Sequence, residues 1–179
     1  MAPEMIIRTE RLTLEPLTER FLRSTHVYAS DRETTRLMMF LPVEDIAETE
    51  RYLMKCRREM EKPEPGFYEL AILLNGTHIG GVSAYAEENS SVWELGWILD
   101  KRYHGHGYAT EAARGLIERL NNTRPLPFIA HCDSENHASR RVMEKLGFRL
   151  AGISGGRKNR SSPELREECL YVRPLDVNE

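Results

Sequence analysis

The chain has 179 residues, with 25 Lys plus Arg against 28 Asp plus Glu and a formal net charge of −3. That length fits one domain, 1–179, and an apolar fraction of 40% can build a core, which excludes wholesale disorder. The slight acidic excess excludes nucleic-acid binding by bulk charge, which needs a concentrated basic face. No apolar run approaches the length of a membrane span. The Met5-Ile6-Ile7 start, followed at once by Arg8 and Glu10, is too short for an export signal. Three widely spaced cysteines, Cys56, Cys132 and Cys169, write neither a disulfide framework nor a CxxC zinc pair. The expectation is a cytoplasmic α/β or α+β domain with no nucleic-acid and no membrane partner.

In chain order, the alternation in Arg11–Glu15 predicts a half-buried strand ended by Pro16. Thr18 is placed to cap a helix over Glu19–Ala29. A second helix is expected from about Glu44 to Met60, with Ile46, Thr49, Leu53, Cys56 and Met60 on one face. Its acidic start, Glu44, Asp45, Glu48 and Glu50, reads either as a solvated face or as an attractor for a cationic substrate. Phe67–Leu74 and Thr77–Ala86 are strands joined by Asn75-Gly76, a strong type I′ hairpin signal because both turn residues need positive φ. Glu87–Ser91 is a polar turn into a third strand, Val92–Leu99, which completes an antiparallel meander.

A Gly-rich loop, Arg102–Gly107, then opens a helix whose stripe is Ala109, Ala112, Ala113, Leu116, Ile117 and Leu120. Pro127–Cys132 is a short strand, and a helix follows with Ala138, Val142 and Leu146 on one face and Gly147 beyond its end. Phe148–Ile153 and Glu167–Arg173 close the chain as strands around a long loop, Ser154–Pro163. The βαβα passage implies one parallel pair inside a mostly antiparallel sheet. An exposed terminal strand would allow a homodimer by edge pairing.

A strand feeding a Gly-rich turn that opens a helix is a phosphate site on physical grounds: the first helical N–H groups lack internal partners, and the dipole puts positive potential there. Gly105 and Gly107 allow close backbone approach, and Arg102 adds a positive charge. A plain tight turn is the other reading. A Rossmann fingerprint needs a third glycine where Thr110 stands, and no GKS or GKT of a P-loop is present. His104 and His106 form an HxH, but no third and fourth ligand have metal spacing, so no metal is expected.

Arg102-Tyr103-His104-Gly105-His106-Gly107, continued by Tyr108-Ala109, resembles the pyrophosphate loop of the GNAT superfamily of acetyl-CoA-dependent N-acetyltransferases. Glu94–Leu99 is similar to the bulged strand before that loop, and Asn136–Ser139 with Met143–Phe148 to the second cofactor region. Thr9–Leu14 with Pro16-Leu17 resembles the start of the RimJ/RimL-like branch. The resemblance implies a mixed, mostly antiparallel sheet of about six to seven strands flanked by helices, with one parallel pair splayed around the cofactor. It implies transfer of acetyl from acetyl-CoA to a primary amine, by branch resemblance a protein or peptide N-terminal α-amine. A small-molecule amine is the alternative, and a CoA-binding sensor without turnover the alternative class.

By the same resemblance, the strand at Trp97, Ile98 and Leu99 would pair with pantetheine and polarise the thioester oxygen. The amides of Tyr103–Ala109 would bind pyrophosphate. Asn136 and Ser139 would contact the cofactor, although Asn136 also suits a helix N-cap. Glu94 is the candidate general base, with a cross-strand charge pair as its other reading. The family's proton-donating tyrosine is replaced by Met143. That leaves Ser139, Ser134, Cys132 or water to protonate the leaving thiolate, with Tyr171 a remote candidate.

Overall fold

The computed structural model describes residues 5–86 and 91–175. Eight strands form one sheet: β1 (Ile7–Arg8), β2 (Leu12–Pro16), β3 (Phe67–Leu74), β4 (Thr77–Ala86), β5 (Trp93–Leu99), β6 (Phe128–Asp133), β7 (Arg149–Lys158) and β8 (Leu165–Arg173). Their spatial order is β1-β2-β3-β4-β5-β6-β8-β7. Four helices flank it: α1 (Leu22–Ala29), α2 (Ile46–Met60), α3 (Tyr108–Thr123) and α4 (His137–Lys145). The strand count exceeds the six to seven expected because the two-residue β1 adds itself to β2. No helix among the described residues is long and apolar enough to cross a membrane.

The hairpin is as the sequence predicts: Asn75 has φ +49° and Gly76 φ +80°, and Leu74 pairs with Thr77 across the turn. Residues 87–90 of the expected polar turn lie outside the described residues. Directly opposed residues share a sheet face. Phe67, Tyr85 and Glu94 therefore form one cross-strand row, and Glu69, Ser83 and Gly96 the next. This face meets α1 and α2. The other carries Leu70, Ile72, Val82, Trp93 and Leu95 into the main core, closed by Leu116, Ile117 and Leu120 of α3 and Met143 and Leu146 of α4 and its end. A Cβ at Gly80 would stand 2.2 Å from the Ile98 carbonyl oxygen, so glycine is needed where β4 lies against β5.

One junction of the sheet is parallel. β5 and β6 pair only at Trp93↔Phe128 and Glu94↔Ile129. Beyond that, β5 stays on β4 as far as Leu99↔Gly80, while β6 stays on β8 as far as Asp133↔Glu168. The two strands part, and their facing edges line a V-shaped opening.

Three expectations need correction. Thr18 makes no side-chain cap; Glu19–Phe21 is a 3-10 turn that precedes α1, and the Phe21 N–H donates to the Thr18 carbonyl. In α4, Ala138 is exposed and Met143 is the buried residue, because one side of this short helix faces the opening rather than the core. Ser154–Lys158 is strand, not loop; a register shift between Ser154 and Arg157, with Gly156 at φ +90°, lets β7 continue past the two glycines.

The β7–β8 hairpin is fixed to β6 by Asp133, which is fully buried. Its carboxylate accepts from Arg166 and from Asn159 Nδ2 at 2.7 Å. Burial by itself would raise its pKa, but these donors and the Glu135 N–H outweigh it, so the pKa lies below the ordinary 3.8. Its stabilisation is therefore complete above that unfolded value and lost as pH falls through the lower folded one. Asp133→Ala strands the buried partners, and a loss on the order of 3 kcal/mol is expected in urea unfolding at pH 7. A change within 0.5 kcal/mol, roughly the size of a surface substitution, would contradict it.

Candidate active site

The opening between β5 and β6 continues into a cleft of about 1430 Å³ that runs from the start of α3 to the segment joining α1 and α2. It is lined by Glu94, Trp97, Ile98, Leu99, Tyr103, His104, Gly105, Gly107, Tyr108, Ala109, Asn136 and Ser139, so most of the sequence candidates meet in one place. Arg102 and His106 are not among its walls. A smaller recess of about 240 Å³, lined by Arg114, Glu118, Asn121 and Lys145 among others, holds none of the candidates.

The loop is built by two left-handed glycines, Gly105 and Gly107, each at φ +81°. Gly107 is the N-cap of α3, and no side chain caps that end. The first helical amides are thus presented to the cleft, which suits an anion. Arg102 does not add its charge there: its guanidinium is folded onto Asp100, with Nη2 at 2.6 Å from Oδ2. His104 Nε2 is bonded to the Leu99 carbonyl at 3.0 Å, and His106 stacks on Tyr108 with ring centroids 5.6 Å apart.

The sequence reading missed the loop's brace, Arg11. Its Nη1 donates to the His106 carbonyl at 3.1 Å, its Nε pairs with Glu111 at 2.7 Å, and its guanidinium lies 4.7 Å from the Tyr108 ring centroid. A residue from the β1–β2 turn thereby holds the loop against the first turn of α3. Arg11→Ala is expected to raise the KM for an acyl-CoA five- to tenfold with kcat within twofold; an unchanged KM would remove Arg11 from this role.

At the apex of the opening, His131 Nδ1 and Glu94 Oε1 are 2.8 Å apart. A nitrogen that close to a carboxylate carries the proton, so Nδ1–H donates to Glu94 and Nε2 holds the ring's lone pair when the ring is neutral. The sequence reading named Glu94 alone. The cross-strand partner of Glu94 is a histidine, and the contact is a charge pair only when that ring is protonated.

The candidate acids separate clearly. Met143 is 1% exposed and packs in the core, away from the cleft. Tyr171 is buried, with Arg140 donating to its Oη at 3.1 Å. Cys132 reaches the cleft wall, but burial pushes its thiol up to about 12. Ser139 is half-buried on the wall. Asn136 does cap α4, its Oδ1 accepting from the Ser139 N–H at 3.1 Å, and lines the cleft as well. The acidic stretch before α2 is partly spent on structure: Asp45 caps the helix and Glu48 pairs with Arg160 from the β7–β8 hairpin. No group of three or more His, Cys, Asp and Glu able to hold a metal occurs among the described residues.

Comparison with known proteins agrees with this geometry. Residues 11–149 match the family described as acetyltransferase (GNAT) domain. An uncharacterised N-acetyltransferase of Bacillus subtilis, YnaD, is 27% identical over 153 residues, covering 83% of this chain and 85% of its own. Among solved structures, the Salmonella typhimurium acetyltransferase that modifies the N-terminal serine of ribosomal protein L7/L12 superposes with a TM-score of 0.84 at 18% identity, covering 96% of this chain and 99% of its own. The microcin C7 self-immunity acetyltransferase MccE, solved with acetyl-CoA and AMP, gives 0.78 at 17% identity, covering 92% and 93%.

Proposed function

The chain belongs to the GNAT acetyltransferase family, and on that premise we propose that it transfers the acetyl group of acetyl-CoA to the N-terminal α-amine of a protein or peptide. The observation that carries the acetyl-CoA reading is the splay of β5 from β6 beside the uncapped start of α3. The residues fit the group in part: the Tyr103 and His104 amides donate to the Asp100 and Lys101 carbonyls, which leaves those from Gly105 to Ala109 to hold its pyrophosphate, and the parted edge of β5 at Trp97–Leu99 would pair with its pantetheine arm. Asn136 and Ser139 bound it from α4, and Arg141 and Lys145 of the same helix line that end of the cleft.

Acetyl-CoA supplies an activated thioester carbonyl. The backbone at Trp97–Ile98 polarises the carbonyl oxygen. Glu94 and His131 act as a unit that takes the proton from the attacking amine, and the Ser139 hydroxyl is the donor to the departing sulfur. A peptide acceptor is supported by the rim: Met39 and Phe40 border the cleft, and Phe40 is 81% exposed, an apolar ledge suited to a chain rather than a small ion. It is also supported by the superposition on the ribosomal-protein enzyme. Acetylated N-termini should disappear from the host proteome when the gene is deleted and return on complementation, read by mass spectrometry. Unchanged N-termini with a changed pool of acetylated small amines would select the small-molecule reading instead.

A further inference from the structure

Glu69 on β3 is a buried carboxylate that this chemistry does not use. It is 7% exposed, lines the cleft, and points to the α1–α2 side of the sheet in the row with Ser83 and Gly96. Its Oε1 accepts from Tyr85 Oη at 2.6 Å, and Tyr85 is itself stacked on Phe67 with centroids 4.8 Å apart. The Tyr52 hydroxyl from α2 also supports the charge. Among the described residues Glu69 forms no ion pair; Lys55, the cation that acts on it, sits with Nζ 5.4 Å from the Phe67 ring centroid. A carboxylate in such a place is costly unless a charge or donors compensate it. Burial pushes its pKa up to about 7 against the two phenols and Lys55, which lower it.

The sheet register sets its distance from the chemistry. Glu69 is two strands from Gly96, hence about 10 Å from the β5 backbone. That is too far for the amine being acetylated and suitable for another group of the same molecule.

We infer that Glu69, steadied by Tyr85 and Tyr52, is an acceptor subsite that binds a second ammonium group, one other than the amine that is acetylated. The inference rests on the acetyl-transfer reading above and narrows the acceptor to a dication: a peptide with a lysine beside its N-terminus, or a diamine. Arg157 and Arg160, which also line the cleft, are engaged by Glu168 and Glu48, and Lys55 lies over the Phe67 ring, so none of these three cations forms an ion pair with Glu69.

The test compares matched pairs: a seryl-lysyl peptide against its seryl-norleucyl analogue, and pentane-1,5-diamine against pentylamine. Thiol release gives kcat and KM, and calorimetry gives the Kd of pentane-1,5-diamine for the CoA-bound protein. Wild type is expected to favour the dicationic member at least tenfold in kcat/KM in the pair it accepts. Glu69→Gln is expected to erase that ratio through acceptor KM, and Tyr85→Phe, which keeps the ring stacked, to reduce it about threefold. Equal use of both members by wild type, or a ratio that survives Glu69→Gln, overturns the subsite while leaving acetyl transfer intact. If no amine is turned over, acetyl transfer fails instead; diamine binding weakened tenfold by Glu69→Gln then still supports the subsite, and no binding overturns it.

Discussion

Gly107→Glu is expected to weaken coenzyme A binding at least 100-fold, about 2.7 kcal/mol, with the far-UV circular dichroism unchanged. Two effects add. A residue with a Cβ at φ +81° costs on the order of 1 kcal/mol, which comes from the loop's own shape. The new carboxylate then stands at the end of α3 where the pyrophosphate is to be held. Like charges about 5 Å apart repel by about 3 kcal/mol at an effective dielectric near 20. Arg11 is the cation nearest that position, its Nη2 being 3.7 Å from the ideal Cβ, but it is already paired with Glu111. Gly107→Ala isolates the backbone contribution and should weaken binding only about fivefold. Calorimetric titration with coenzyme A decides; a Glu variant that binds within threefold of wild type would mean that this loop is an ordinary turn.

That loop was legible because its signals are local. Positive φ at Gly105 and Gly107 and the apolar stripe of α3 are properties of neighbouring residues, as is the Asn75-Gly76 turn. What escaped depends on partners that the apolar pattern does not specify, near in the chain or far. The cancellation of Arg102 by Asp100 needs the 3-10 turn that brings residues two apart into contact. Arg11 reaches the loop from nearly a hundred residues away. On α4 the expected face holds at Leu146 and Val142, which meet the core, and fails at Ala138, which is exposed on the cleft; Val142 borders the cleft as well, so apolar spacing there does not report the core alone. Glu69 was hidden differently. β3 reads Phe-Tyr-Glu-Leu-Ala-Ile-Leu-Leu and is buried on both faces, so a single acidic residue in it has no periodic signature of a cleft.

The Glu94–His131 pair joins both classes, since Glu94 was named from its strand and His131 enters only through the parallel register of β5 and β6. Glu94→Gln is expected to lower kcat about 100-fold at pH 7, while the KM for acetyl-CoA stays within twofold because the side chain lies at the apex and not at the loop. The amide keeps the volume but removes the charge that orients Nδ1–H and stabilises a protonated ring. The size of the deficit should follow the acceptor. An α-amine with pKa near 8 is about one-tenth neutral at pH 7, whereas a lysine amine near 10.4 is neutral in well under one part in a thousand. If the pair removes a proton, the deficit with an α-amine shrinks as pH rises from 7 to 9, because the substrate then arrives already neutral. With a lysine-type amine it persists across that range. A wild-type protein that binds coenzyme A and transfers nothing to any amine would instead be a sensor, and Glu94→Gln would then have no rate to change. Equal kcat for wild type and variant at every pH, with an acceptor that is turned over, would show that deprotonation happens before the amine reaches the cleft and would reduce Glu94 to a structural partner of His131.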